Sequence, residues 1–257
     1  MNDDLVMGGR KFSSRLILGT GKFSSKENMI KAIEASGSEM ITVALRRVDF
    51  DNPEDNLLEF IDKKKYILLP NTSGAQNADE AIRIAMFARE AGISDWIKIE
   101  VTPDPVYLLP DGEETLKASK FLVKEGFKVM PYINADPVLA KKLEDAGTVS
   151  VMPLGSPIGS NRGLKTLELV KIIIKQSNIP VIVDAGIGRP SDATSAMELG
   201  ASAVLINTAV ATADDPGMIA EAFALSVKAG RMGYLSGLPV EHENASSSSP
   251  LDWVSKL

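Results

Sequence analysis

Cysteine is absent from the 257 residues, and histidine occurs once, as His242. The first absence removes thiolate catalysis, disulfides and cysteine metal sites. With a single imidazole, in the polar stretch "EHENASSSSP", neither a His-rich metal site nor a Ser-His-Asp triad can be assembled within one chain. Acid–base or nucleophilic work must therefore fall to Lys, Asp, Glu, Tyr, Ser or Thr. No run approaches the roughly 18 consecutive apolar residues of a membrane span. The opening "MNDDLVMGGRKF" is acidic at its start and lacks the apolar stretch of a secretory signal, so a cytoplasmic protein is expected. No glycine-rich loop ends in Gly-Lys-Ser/Thr, which leaves nucleotide binding through a P-loop unsupported. The net charge of -6 argues against general binding to nucleic acid or an anionic membrane. It leaves room for a local anion pocket built from backbone amides.

What remains is an ordinary globular composition, 44% apolar and 24% charged, able to bury a large core. Short apolar runs alternate with longer helical patterns. The strand candidates are "RLILGTG" (15–21), "EMITVAL" (39–45), "YILLPN" (66–71), "WIKIEV" (96–101), "KVMPYI" (128–133), "VSVMPLG" (149–155), "PVIVDAG" (180–186) and "AVLINTAV" (203–210). Between them, "NADEAIRIAMFAREAG", "DPVLAKKLEDAG", "PSDATSAMELGA" and "DPGMIAEAFALSVKAG" each open on a capping residue and stop near glycine. "NLLEFI" after the second strand forms at most a short helix. Eight β-then-α units fit a (β/α)8 TIM barrel better than an open doubly wound sheet, although periodicity does not report closure. The Ser-rich stretch near 245–250 reads as a mobile tail.

Within "WIKIEV", alternation puts Ile97, Ile99 and Val101 on one face and Trp96, Lys98 and Glu100 on the other. If the second face looks outward, Lys98 and Glu100 are a surface ion pair; if inward, a lysine and a carboxylate have been placed in a core at a desolvation cost. Active groups of such barrels sit at the C-terminal strand ends, where Lys98, Glu100 and Asp184 would converge. Burial alone would lower the lysine pKa and free a neutral amine to attack a ketone. The plain alternatives are a structural Lys98–Glu100 salt bridge and, for Asp184 in "VIVDAGIG", a carboxylate that caps a turn. The glycines after Asp184, the loop "PLGSPIGSNRG" around Gly159, and Asn207 with Thr208 at the end of strand eight could cradle an anion. Each also has a merely steric reading. Arg46 or Arg47 in "ALRRV" offers a further anion contact.

Taken in order, "LILGTGKF", "TVALRR", "LLPNTSG", "WIKIEV", "MPLGSPIGS", "VIVDAGIGRPSDA" and "LINTAVA" resemble bacterial thiazole synthase, the family that builds the thiazole phosphate half of thiamin. The resemblance runs from about residue 10 to residue 237. It implies a (β/α)8 barrel catalytic domain over 1–237, a polar tail over 238–257, and a homo-oligomer, dimer or tetramer. It implies 1-deoxy-D-xylulose 5-phosphate and dehydroglycine as substrates and a small thiocarboxylated sulfur-carrier protein as partner, with no cofactor, no metal, no nucleic acid and no membrane. The imine-forming lysine of the family corresponds to Lys98, and its nearby carboxylates to Glu100 and Asp184. The sugar-phosphate contacts correspond to Gly159, Ala185, Gly186, Asn207 and Thr208. Many members carry cysteine where this chain has Ala75 and Thr148, and a more acidic loop around Asn134. Two other readings share parts of this pattern: a Schiff-base aldolase acting on another phosphosugar, and a noncatalytic barrel that scaffolds the carrier.

Overall fold

The computed structural model describes residues 3–45 and 60–248. Arg46 and Arg47, most of the "NLLEFI" segment and the last nine residues of the tail lie outside the described residues.

The chain opens with a feature that the periodicity did not predict. Strands β1 (Leu5–Met7) and β2 (Arg10–Phe12) pair antiparallel through Gly8 and Gly9. These two glycines have φ of 54° and 78°, as a two-residue hairpin turn with right-handed strand twist demands. Each strand has only three residues, too few for alternation to be read from sequence. Leu5, Met7 and Phe12 point away from solvent into the base of the sheet that follows.

That sheet has eight parallel strands: β3 (Leu16–Gly19), β4 (Met40–Ala44), β5 (Ile67–Asn71), β6 (Trp96–Ile99), β7 (Lys128–Ile133), β8 (Met152–Pro153), β9 (Ile182–Asp184) and β10 (Ala203–Ile206). Their order is β8-β7-β6-β5-β4-β3-β10-β9. The ends meet through parallel bridges Val151–Val181 and Leu154–Asp184. Ile182 N–H donates to Val151 O at 2.9 Å, and Gly155 N–H to Ala185 O at 3.2 Å. The sheet therefore closes into the (β/α)8 barrel, and the open-sheet alternative falls.

Helices α1 (Lys26–Ser36), α2 (Ala78–Glu90), α3 (Gly112–Lys124), α4 (Pro137–Asp145), α5 (Leu167–Gln176), α6 (Pro190–Glu198), α7 (Thr208–Ala211) and α8 (Pro216–Ser236) follow the strands. Side-chain caps account for several starts: Asn77 accepts from Glu80 N at 3.0 Å, Asp136 from Val138 N at 2.8 Å, and Asp215 from Met218 N at 3.0 Å. Two expected boundaries move by four residues or more. The eighth strand ends at Ile206 rather than Val210, because Asn207 turns the chain into α7. Helix α8 passes through Gly230 and stops at the left-handed Gly237. At Gly230 the missing side chain serves packing: a Cβ there would lie 2.5 Å from Thr194 O and 2.8 Å from Met197 Cβ on α6.

The faces of β6 divide as alternation requires. Ile97 and Ile99, with Val101 just beyond the strand, pack outward against Ala81 and Ala85 of α2 and Ala118 and Leu122 of α3. Trp96 points inward, among Phe12, Leu69, Met130 and Ile182. Its ring meets Phe12 edge-on, with centroids 6.0 Å apart. Each such side chain contributes roughly 1.5–3 kcal/mol when fully buried. The barrel's lower half is thus an apolar plug, with Lys128 over the Trp96 ring at its base, and the fully buried ionisable groups of the inner face lie above it.

Candidate active site

One pleat above Trp96, Lys98 points into the barrel, and Glu100 lies just past the end of β6 on the same face. Thr72 fixes that strand end: its hydroxyl donates to Glu100 O at 2.9 Å and accepts from Glu100 N at 2.8 Å. Asp184 arrives from the end of β9, on the far side of β7 and β8. Lys98 Nζ lies 2.8 Å from Glu100 Oε1 and 2.5 Å from Asp184 Oδ2. The three residues are only 4%, 6% and 2% exposed. The ion pair allowed by a two-residue spacing therefore exists, but it faces inward, and a third charged group that no local pattern links to it completes it.

This arrangement corrects the expectation of a neutral lysine at rest. Burial does pull the Lys98 pKa down, and strongly, but Asp184 and Glu100 outweigh it and the net direction is up. For Asp184, burial is the largest influence and raises the pKa; Lys98 opposes it, Glu100 adds to it, and the carboxyl ends above its ordinary value. The substrate-free site thus holds an ammonium between two acidic groups, one of them made a better proton acceptor by its surroundings. The Tyr132 ring lies beneath, 5.3 Å from Lys98 Nζ to its centroid. Burial, and then the two carboxylates, push the Tyr132 phenol well above its usual range.

Above this floor opens a cavity of about 370 Å³ at the C-terminal ends of the strands. Lys98, Glu100, Asp184, Gly159, Ala185, Gly186, Asn207 and Thr208 all line it, so the structure brings together the three ionisable groups and the five sugar-phosphate contacts named from sequence, whereas Arg46 and Arg47 lie outside the described residues. The rim owes its shape to backbone that side chains tolerate poorly. Ala185 and Gly186 are successive left-handed residues, at φ 69° and 81°. A Cβ on Gly186 would run into Ser156, on the loop that follows β8. That loop is held in place by Gly163 N–H donating to Gly186 O at 2.7 Å. Asp192 secures the turn after β9 by accepting from Gly188 N at 3.0 Å and Arg189 N at 2.9 Å. Asn207 packs on Gly19, where a Cβ would approach Asn207 Cβ to 2.6 Å, and its Oδ1 is buried without a hydrogen-bond partner.

Several lining residues escaped the sequence reading, among them Lys22, Asn71, Leu108 and Asn161. Among the described residues, Lys22, Leu108, Asn161 and Ala185 are the four non-glycine residues at positive φ, and all four line this cavity. Such backbone costs on the order of 1–3 kcal/mol per residue and concentrates where geometry serves a ligand. Asn134 does not line the cavity; its Nδ2 donates to Pro110 O at 3.1 Å and ties two loops. Ala75 and Thr148 are buried away from it, so a thiol at either place would sit in packing rather than chemistry. Among the described residues, no helix is long and apolar enough to cross a membrane.

The family described as "Thiazole biosynthesis protein ThiG" matches residues 6–250. "Thiazole synthase" of Syntrophobacter fumaroxidans is 62% identical over 251 residues, 98% of this chain and 98% of that protein. "Thiazole synthase 1" of Syntrophotalea carbinolica is 61% identical over 249 residues, covering 97% of this chain and 96% of the relative. A chain in the crystal structure of the Amycolatopsis orientalis BexX/CysO complex superposes with a TM-score of 0.83 at 31% identity, over 94% of this chain and 98% of the other. A closed barrel with a lysine held between two carboxylates under a glycine-edged cavity, matched end to end by these relatives, belongs to the bacterial thiazole synthase family of thiamin thiazole biosynthesis.

Proposed function

We propose that the chain condenses 1-deoxy-D-xylulose 5-phosphate, dehydroglycine and the sulfur of a thiocarboxylated carrier protein into thiazole phosphate, with Lys98 as the imine-forming amine. One observation carries this reading: a single lysine is buried between two carboxylates on the floor of an open cavity. Such a cluster is a poor means of stabilising a barrel, because desolvation of the charges offsets most of their attraction. Chemistry is the better reason to keep it.

The first step must be loss of a proton, since the resting nitrogen is an ammonium. Asp184 Oδ2, at 2.5 Å, is within reach to take it. The freed Nζ lone pair attacks C2 of the ketose and gives a carbinolamine. A protonated carboxyl returns its proton to the hydroxyl, which leaves as water, and an iminium remains. The iminium draws electrons from C2 and acidifies the hydrogen on C3. Glu100 and Asp184 take the C3 hydrogen and then the proton of the C3 hydroxyl and deliver one to C2, which leaves an amine on C2 and moves the carbonyl to C3. The thiocarboxylate sulfur of the carrier adds at C3; the carrier acyl group shifts to the C3 oxygen and leaves with it as the carrier's carboxylate, so sulfur stays on C3. The sulfur adds to the imine carbon of dehydroglycine, whose nitrogen closes the ring at C2 as Lys98 departs, with loss of water. The phosphate would lie at the rim, facing the backbone at Gly159, Ala185 and Gly186 and the side chains of Asn207 and Thr208.

The capture of a related barrel in a complex with a second protein, CysO, favours a protein partner here also. Homo-oligomeric assembly belongs to the same reading. It is supported by the apolar face that α8 leaves exposed through Met218, Leu225 and Met232, one heptad apart.

Borohydride reduction in the presence of 1-deoxy-D-xylulose 5-phosphate, read by intact and peptide mass spectrometry, tests the core of the proposal. A single adduct on Lys98 is expected. Absence of an adduct, with sugar-phosphate binding confirmed separately, would sink the imine and favour a noncatalytic scaffold.

A further inference from the structure

We propose that Lys22 is the cation that neutralises the ligand's phosphate and gives the site its preference for a phosphorylated ketose. The inference rests on the reading that a sugar phosphate occupies the cavity.

Charge balance is the first argument. Among the described residues, the charged ones lining the cavity are Lys22, Lys98, Glu100 and Asp184. Lys98 is already committed: its ammonium lies between Glu100 and Asp184 at 2.8 and 2.5 Å, and with both acids ionised the three groups sum to one negative charge. A phosphate monoester brings about −1.5 to −2 more at neutral pH. Backbone amides at the rim supply donors and partial charges, but no full positive charge. Without Lys22, a dianion would meet a described lining that is itself anionic, in surroundings where charges are screened less than in water.

Geometry is the second, independent argument. Lys22 follows Gly21 directly at the end of β3 and takes a left-handed backbone, φ 68°, which an ordinary surface lysine does not need. Its side chain reaches the opposite rim. A Cβ built on Gly159 would lie 2.9 Å from Lys22 Nζ and 3.7 Å from Thr208 Oγ1. The ammonium, the Thr208 hydroxyl and the Gly159 backbone therefore meet at one point of the cavity wall, above the Lys98 floor. A larger residue at 159 would occupy the space where they meet. Among the described residues, Lys22 forms no ion pair, in contrast to Lys11, Lys31, Lys117 and Lys141, whose ammonium groups each lie within 3.4 Å of a carboxylate. A strained backbone that aims an uncommitted cation at a glycine-edged anion cradle is what phosphate recognition requires.

The test compares wild type, Lys22→Gln and Lys22→Arg. Binding of inorganic phosphate is followed by calorimetry, and borohydride trapping on Lys98 is titrated with 1-deoxy-D-xylulose 5-phosphate and with unphosphorylated 1-deoxy-D-xylulose. Lys22→Gln is expected to weaken phosphate binding and raise the half-saturating concentration of the phosphorylated sugar roughly 10- to 100-fold, the loss of one charge-assisted contact. The dependence on unphosphorylated sugar stays the same, the steady-state loss appears in KM rather than kcat, and Lys22→Arg recovers most of the affinity. Unchanged phosphate affinity in Lys22→Gln, equal losses for both sugars, or a wild type that does not bind phosphate would each overturn the proposal. A wild type that binds phosphate through Lys22 yet yields no adduct on Lys98 would leave the anion site standing and remove the imine reading instead.

Discussion

Trp96 and Lys98 leave β6 toward the same barrel axis, one pleat apart, and enter opposite environments. Around Trp96 the lower interior is filled by Phe12, Met40, Leu69, Met130, Met152 and Ile182, with the hairpin β1–β2 closing the base. Around Lys98 the upper interior holds Glu100 and Asp184 and then opens into the cavity. The lower layer is apolar and its backbone regular. The upper layer contains buried charge, an unpartnered Asn207 oxygen and a rim of left-handed residues. The contrast assigns the two halves of one tube different tasks: the plug provides the stability that the upper layer consumes in desolvation and backbone strain. Substitutions on either side of this boundary should separate accordingly.

The largest expected effect is on activity, from Lys98→Met. Removing the only amine on the floor should abolish imine trapping and lower turnover by at least about a thousandfold. The same variant sharpens the electrostatic side of the comparison. In wild type, Lys98 has a raised folded pKa, so its contribution to stability is complete at ordinary pH and is lost only as pH rises through a value above the usual lysine range. In the variant, Asp184, already raised by burial, loses its counter-ion and rises further. A carboxyl with a raised folded pKa supports the fold fully below its unfolded pKa and less as pH climbs through the folded one. Lys98→Met should therefore nearly match wild type at about pH 4 and fall behind by roughly 3–5 kcal/mol near pH 8. Thermal melts across that range would check this, and a gap that narrows with rising pH would contradict it.

Asp184→Asn comes next. It keeps the shape of the floor and removes one proton carrier, so turnover should fall roughly a hundredfold or more, the ordinary scale of general acid–base assistance. Rapid-quench experiments should show the loss in imine formation, where Asp184 takes the Lys98 proton, and again in the proton transfers that follow it. A variant that loses only sugar-phosphate affinity, with unchanged turnover at saturation, would contradict the role. The smallest expected effect on chemistry belongs to the plug. Trp96→Ala should cost about 3–5 kcal/mol of stability by denaturant titration, while the folded fraction still forms the Lys98 adduct. Loss of trapping in folded Trp96→Ala would break the division between the two layers.

Local pattern makes much of this molecule legible in its sequence. That Lys98 and Glu100 share a face follows from a period of two, and the starts of α2, α4 and α8 follow from caps that act within three residues. Asn207 was misread as strand because nothing nearby distinguishes a polar strand end from the first residue of a short helix. Gly230 reads as a helix stop in sequence because the neighbour that requires a glycine there, α6, is distant in sequence. Lys22 went unnoticed because a lysine after a glycine is common, and only its left-handed φ and its reach to Gly159 mark it out.

The order of residues alone was enough to settle strand alternation, the count of eight barrel strands and the ionisable groups available to the site, since those depend on side-chain chemistry and on contacts a few residues apart. Closure of the sheet, the plug beneath it and the meeting of Asp184 with Lys98 required the folded chain. So did the charge state of that lysine, because a pKa is a sum over burial and neighbouring charges, and those neighbours come together only when β6 and β9 face each other across a closed barrel.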